Sequence, residues 1–325
     1  MRAAVRERFG RPTRVVEIRE LERPTPGADE VLVRVRAASV NIADWYGVVA
    51  KPTIARFAMG LRRPKEPRLG VDYAGVVEEV GPGVTQFRPG DEVFGGRTGA
   101  FADYVVAKTD RAIVHKPANV SFEAAAATPV AAITALQAIR DHGGLRPGQR
   151  VLVQGASGGV GTFAVQVAKA LGAGHVTAVC STPNVEIARS LGADRVVDYT
   201  VEDVTRGDER YDLVIDIAGT VPFRRLRRVM APDARVIVVG GPRKTPLVGP
   251  LGHILGTKLA SLFASQSMAF FIAKLDKEGM QTIRELLESG ELTSVIDSAF
   301  PLERVGDALE HQGEGHPRGK IVVTV

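Results

Sequence analysis

The residues Val151-Leu152-Val153-Gln154-Gly155-Ala156-Ser157-Gly158-Gly159-Val160-Gly161 run from an apolar stretch through glycines into an amphipathic segment ending at Leu171. Val160, Ala164, Val167 and Leu171 share one helical face, and Gly172 supplies a stop. Small residues let the backbone approach a phosphate, and the first N–H groups of a helix have no partner of their own. The spacing therefore predicts a cradle for a dinucleotide pyrophosphate, made by the backbone N–H groups of Ser157, Gly158, Gly159 and Val160. Which dinucleotide it holds is read at the end of the next strand, where an NAD site usually places Asp or Glu. Here Val179-Cys180-Ser181-Thr182-Pro183-Asn184 contains no acid. An acid there would repel a 2′-phosphate, whereas Ser181 and Thr182 can hydrogen-bond it, so NADPH is the expected cofactor.

Other chemistry is excluded by residue supply. Cys180 is the only cysteine, so there is neither an internal disulfide nor a multi-cysteine zinc site. At the end of a buried strand it reads as a small apolar residue. The six histidines show no metal-binding spacing, and no metal site is expected. The net charge is +5, and the segment from Lys51 to Arg68 carries six cations against Glu66 alone. That segment reads either as a solvated loop or as one bordering a phosphate-bearing ligand. It lacks the interleaved aromatics of a base-stacking surface, so a nucleic-acid partner is not expected. No apolar segment reaches membrane-spanning length, and the first ten residues have no apolar signal core. The expected location is cytoplasmic.

The elements that must position the glycine turn divide the 325 residues in two. Residues 1 to about 120 read as short strands, at Glu30–Ala37, Gly75–Gly83, Arg88–Gly95 and Phe101–Val106, forming a β-rich, barrel-like domain. Ser121 then caps a helix whose alanine-rich run extends to Ile139. From Val151, apolar strands (His175–Cys180, Arg195–Tyr199, Tyr211–Asp216, Arg235–Gly241) alternate with helices (Val185–Leu191, Val221–Met230). This α/β pattern predicts a doubly wound parallel sheet of Rossmann type over 122–268. The other domain comprises 1–121 and 269–325, and its second piece holds an amphipathic helix from Leu275 to Leu287 and a terminal strand from Lys320.

The order of motifs resembles the medium-chain dehydrogenase/reductase superfamily over nearly the whole chain. The matching stretches are Val31–Val35 with Ala38–Asp44, Leu69–Val77, Gly90–Val93, Thr134-Ala135, the glycine turn and Arg318-Gly319-Lys320. The resemblance implies a GroES-like barrel beside the Rossmann domain. Ala178–Thr182, Leu191–Asp194 and Val197–Tyr199 are similar to the reticulon-interacting mitochondrial reductases and their bacterial relatives, in the zinc-independent quinone oxidoreductase branch. Catalytic-zinc members have Cys where this chain has Asn41, and Gly-His-Glu where it has Gly70-Val71-Asp72. Asn is a poor zinc ligand beside thiolate or imidazole.

Without a Lewis acid, the implied reaction is hydride transfer to an acceptor that stabilises the developing charge itself, a quinone or an α,β-unsaturated carbonyl compound. The resemblance places Asn41 and Tyr46 along the nicotinamide and acceptor, with the Tyr46 phenol either donating to a substrate oxygen or serving as a packing aromatic. Asp44 reads as a cap of the turn after the strand. Thr134 matches a threonine near the nicotinamide, although by composition it is only a hydroxyl in an alanine-rich helix. Tyr199 matches a tyrosine beside the 2′-phosphate, and Gly240 belongs to the cofactor contacts. Relatives often carry a Lys or Arg where this chain has Asn184, and Arg243 is either a substitute cation or a surface charge. The segments 51–68 and Leu247–Ser267 are expected to shape the substrate pocket. A homodimer is expected, joined through the apolar segment Met268–Ala273 as an edge strand. The alternatives are an enoyl-thioester reductase and, in another class, a non-catalytic NADPH-binding or RNA-binding protein.

Overall fold

The computed structural model describes residues 1–51, 56–241, 250–261, 264–315 and 317–325. Packing divides the chain into two compact units, Met1–Ile133 with Lys274–Val325, and Thr134–Ala273.

The first unit starts with an antiparallel pair, β1 (Arg2–Val5) and β2 (Glu17–Glu20). Five strands follow: β3 (Glu30–Val40), β4 (Asp72–Val80), β5 (Glu92–Gly96), β6 (Tyr104–Lys108) and β7 (Ile113–His115). β3 is the hub. It pairs with β4 along most of one edge and with β6 along the first half of the other. Val31, Leu32 and Val33 are all buried, and only Arg34 and Arg36 reach solvent from the middle of the strand. The alternation seen in sequence is thus half hidden by burial on both faces.

The second unit holds β8 (Arg150–Gln154), β9 (His175–Cys180), β10 (Arg195–Asp198), β11 (Tyr211–Asp216), β12 (Met230–Val238) and β13 (Ser267–Phe270). All pair in parallel, in the order β10-β9-β8-β11-β12-β13. This is the doubly wound arrangement, whose order reverses between β8 and β11, and ligands bind beyond the carboxyl ends of the strands at that switch point. Leu152, Val214, Val236 and Val238 anchor a core closed by Phe223, Leu226 and Val229.

Two strands, β14 (Ile296–Pro301) and β15 (Lys320–Thr324), return to the first unit. β15 lies between β14, to which it is parallel, and the second half of β3, to which it is antiparallel. Before them the helix Lys277–Glu288 is capped by Asp276, which accepts from Gly279 N at 2.7 Å, and buries Met280, Ile283 and Leu287. Among the described residues no helix is long and apolar enough to cross a membrane.

Three local expectations are revised. The alanine-rich helix is two helices, Phe122–Ala126 and Pro129–Leu136, followed by a π-helical turn, Gln137–His142. Pro129 can begin a helix but not sit inside one. The helix expected over Val221–Met230 shrinks to Phe223–Leu226 with a 3₁₀ turn, because Met230 already pairs with Tyr211 as the start of β12. The strand expected from Phe101 begins at Tyr104.

Candidate functional site

The glycine turn connects the end of β8 to the helix Gly159–Ala170. Gly155 adopts φ +82°, which turns the strand sharply. A Cβ on Gly161 would stand 2.1 Å from the Gly155 carbonyl oxygen, so helix and turn approach as closely as only glycine permits. No side chain caps this helix, and a Cβ on Gly158 would meet nothing nearer than 3.8 Å, so the turn has open space at Gly158. Gln154, immediately before the turn, has a buried Nε2 with no partner. The uncapped helix start, the open face and an orphaned donor fit a bound dinucleotide. Gly240 follows β12, where a Cβ would strike the Ile217 carbonyl oxygen at 2.3 Å; packing alone demands glycine there.

Past β9, Ser181 and Thr182 begin a 3₁₀ turn, and the Ser181 hydroxyl accepts from Asn184 Nδ2 at 2.9 Å. Asn184 therefore braces the serine rather than standing in for a cation. Tyr199 follows β10 and is 58% exposed. The absence of an acid here holds along the chain but not in space. In the β9–β10 register Asp198 lies opposite Cys180, and its carboxylate accepts from the hydroxyls of Thr182 and Thr200, which hold it below the usual carboxylate range. Cys180 itself is buried, and desolvation raises its thiol to about 11, so it stays protonated. Arg243 lies outside the described residues, as do 52–55 of the basic segment and parts of Leu247–Ser267.

At the switch point the Asp216 carboxylate ends β11, opposite Gln154. Its Oδ1 accepts from Gly219 N at 2.9 Å, and its Oδ2 lies 2.8 Å from His253 Nε2, on the helix Pro250–Ser261. Neither residue was singled out in the sequence, where they are 37 residues apart.

In the first unit the residues at the zinc-ligand positions are already engaged. Asn41 follows β3 and is the N-cap of the helix Ile42–Val49; Asp44 Oδ2 accepts from Asn41 N at 2.8 Å, a side-chain cap of the kind read from sequence. The β3–β4 register sets Ser39 opposite Asp72, and the β15–β3 register sets Ile321 opposite Val40, which brings Lys320 level with Asn41. Asp72 Oδ2 accepts from Ser39 Oγ at 3.1 Å and Asn41 Nδ2 at 2.9 Å, and Asp72 Oδ1 accepts from Val130 N at 3.1 Å. Lys320 Nζ donates to Asn41 Oδ1 at 2.5 Å and lies 3.4 Å from Asp72 Oδ2. Asp72 and Lys320 are 0% and 3% exposed. Burial pushes the carboxyl up and the ammonium down, and the charge of each opposes the shift of the other. For Asp44 burial is the largest cause and raises the carboxyl to about 7, with the charge of Asp72 adding to the shift. The donor set is thus an amide, a carboxylate and a resident cation, which does not fit zinc.

Tyr46 lies half-buried in the same helix, five residues after Asn41, with its ring 5.3 Å from that of Trp45. Thr134 is buried in the helix Pro129–Leu136.

Two family models match the chain: an alcohol dehydrogenase GroES-like domain over residues 27–118 and a zinc-binding dehydrogenase over 191–323. A chloroplastic quinone-oxidoreductase, QR1, of Triphysaria versicolor is 33% identical, over 99% of this chain and 98% of the relative. The human mitochondrial NAD(P)H oxidoreductase RTN4IP1 is 36% identical, over 91% and 82%. Among solved structures, the quinone oxidoreductase from Coxiella burnetii superposes with a TM-score of 0.84 at 27% identity, covering 100% of this chain and 99% of its own.

Proposed function

The chain belongs to the medium-chain dehydrogenase/reductase superfamily, and from that premise we propose that it is an oxidoreductase reducing a quinone or an α,β-unsaturated carbonyl compound with NADPH and without zinc. The observation that carries the reading is the ammonium of Lys320 beside Asn41 and Asp72, since a site with its own buried cation has no room for a divalent one. The Rossmann unit holds an NAD(P) cofactor, with Ser157, Gly158, Gly159 and Val160 on the pyrophosphate and Gly240 alongside. Bound NADPH supplies the hydride. The acceptor must then carry the charge on its own oxygen, and the residues assigned there, Tyr46 and Asn41, donate hydrogen bonds to it. Ser181, Thr182 and Tyr199 face the 2′-phosphate, and Thr134 the nicotinamide. A homodimer joined through the β13 edge, where Phe270 is exposed, and a cytoplasmic location belong to the same proposal.

The purified protein should oxidise NADPH with a small quinone or enone in the presence of EDTA. Activity lost on chelation and restored by zinc would overturn the metal-free reading. Running crotonyl-coenzyme A beside naphthoquinone separates the thioester alternative. A Tyr46→Phe variant should lose turnover more than NADPH affinity; an unchanged rate with every accepted substrate reduces Tyr46 to packing.

A further inference from the structure

We propose that Lys320 is a positioning residue that fixes the side-chain amide of Asn41 in one orientation and so holds its remaining N–H ready as a donor. The inference rests on the reading above for what that donor serves, but not for the geometry. Asn41 is the only amide in the described residues placed between Lys320 and Asp72: Oδ1 faces the ammonium and Nδ2 faces the carboxylate. A flipped amide would set NH₂ against NH₃⁺ and oxygen against carboxylate, two repulsions in a buried site. One N–H of Asn41 is spent on Asp72, and one is left.

The fold is built to deliver this lysine. Gly319 adopts φ +92°, and a Cβ on it would lie 2.2 Å from the Val295 carbonyl oxygen, so only glycine admits this entry into β15. Lys320 N then donates to that same oxygen at 2.8 Å, which sets the residue at the strand start. The motif Arg318-Gly319-Lys320 thereby acquires a role in its last two residues. The other charged groups around Asn41 are Asp44, on its own backbone N–H, and Arg6, whose charge acts on Asp44. The same capping box turns the Asn41 side chain toward the backbone N–H of Asp44.

The test is a double-mutant cycle on the full chain. Lys320→Met should lower kcat by about 10- to 100-fold with the NADPH dissociation constant little changed, as for residues that orient a functional group through hydrogen bonds. In an Asn41→Ala background the same substitution should cost less than about twofold, because the group it acts through is gone. An equal loss in both backgrounds, or an unchanged kcat with only a lowered melting temperature, would overturn the proposal. Where Lys320→Met fails to fold, Lys320→Met with Asp72→Asn removes both buried charges together and serves in its place. The side-chain amide of Asn41, followed by ¹⁵N NMR without cofactor, gives a second readout independent of turnover. Two resolved amide protons in the parent, the one bonded to Asp72 exchanging slowly, with faster exchange or averaged signals in the variant, support positioning; identical signals in both overturn it. If the parent reduces no quinone or enone, the proposed function falls while the amide signals still decide the role of Lys320.

Discussion

His253 Nε2 and Asp216 Oδ2 meet at 2.8 Å, tying the helix Pro250–Ser261 to the carboxyl end of β11. Asp216 is 1% exposed, and among the described residues its carboxylate takes this ring and Gly219 N as its partners. Replacing His253 by Leu leaves one oxygen of a buried carboxylate without a donor, at a cost of about 1–3 kcal/mol. Thermal melts of His253→Leu and of the double variant with Asp216→Asn check this: the double should recover part of the loss. Equal melting temperatures for parent and single variant would show that the contact contributes nothing.

Asp44 titrates near neutrality because burial raises it to about 7 from its ordinary 3.8. The folded form holds the proton more tightly than the unfolded chain, so the contribution of Asp44 is fully present in acid and declines as pH rises through about 7. The slope approaches 1.4 kcal/mol per pH unit, roughly, between the two values. Asp44→Asn keeps an acceptor for Asn41 N and removes the titration. Relative to that variant the parent should lose melting temperature from pH 5 to pH 8, and a pH-independent difference would contradict the assignment.

A methyl group at Gly161 would lie 2.1 Å from the Gly155 carbonyl oxygen and 2.7 Å from Ala156 Cα, both backbone atoms that cannot swing aside. Gly161→Ala should therefore displace the turn, cost about 1–3 kcal/mol of stability and weaken NADPH binding in a fluorescence titration. Binding at parental strength would mean that the turn adapts, and that the pyrophosphate does not depend on its shape.

Asp198 is the acid beside Thr182. If the 2′-phosphate rests on Ser181 and Thr182, Asp198→Asn should raise the preference for NADPH over NADH, and the gain should shrink with added salt because the group is exposed. Steady-state KM values for both cofactors at low and high ionic strength provide the check. A preference shifted toward NADH would place the ribose hydroxyls, not a phosphate, at this carboxylate.

What was legible in the chain depended on how locally it was encoded. The turn at Gly155–Gly161 is written in consecutive residues, because Gly155 and Gly161 each answer a backbone demand nearby. The cap by Asp44 spans three residues and could be read the same way. The engagement of Asn41 by Lys320 could not, since 279 residues separate them and only the registers of β15, β3 and β4 align them. Asp198 is hidden for a related reason: the residues after β9 contain no acid, and this one arrives from the neighbouring strand. The alanine-rich run is helical in propensity throughout, and its split falls at Pro129, which begins the second helix.

The return of β15 to the first sheet also sets an order of events during synthesis. Asp72 and Asn41 leave the ribosome long before Lys320. Until then the carboxylate has no cation beside it and β3 has an open edge along Ala37–Val40. The second unit, Thr134–Ala273, is therefore complete in the emerging chain before the strand that closes this edge of the first. A chain stopped before Lys320 would leave the buried carboxyl of Asp72 without the ammonium that lies 3.4 Å from it, and burial would then favour its protonated form.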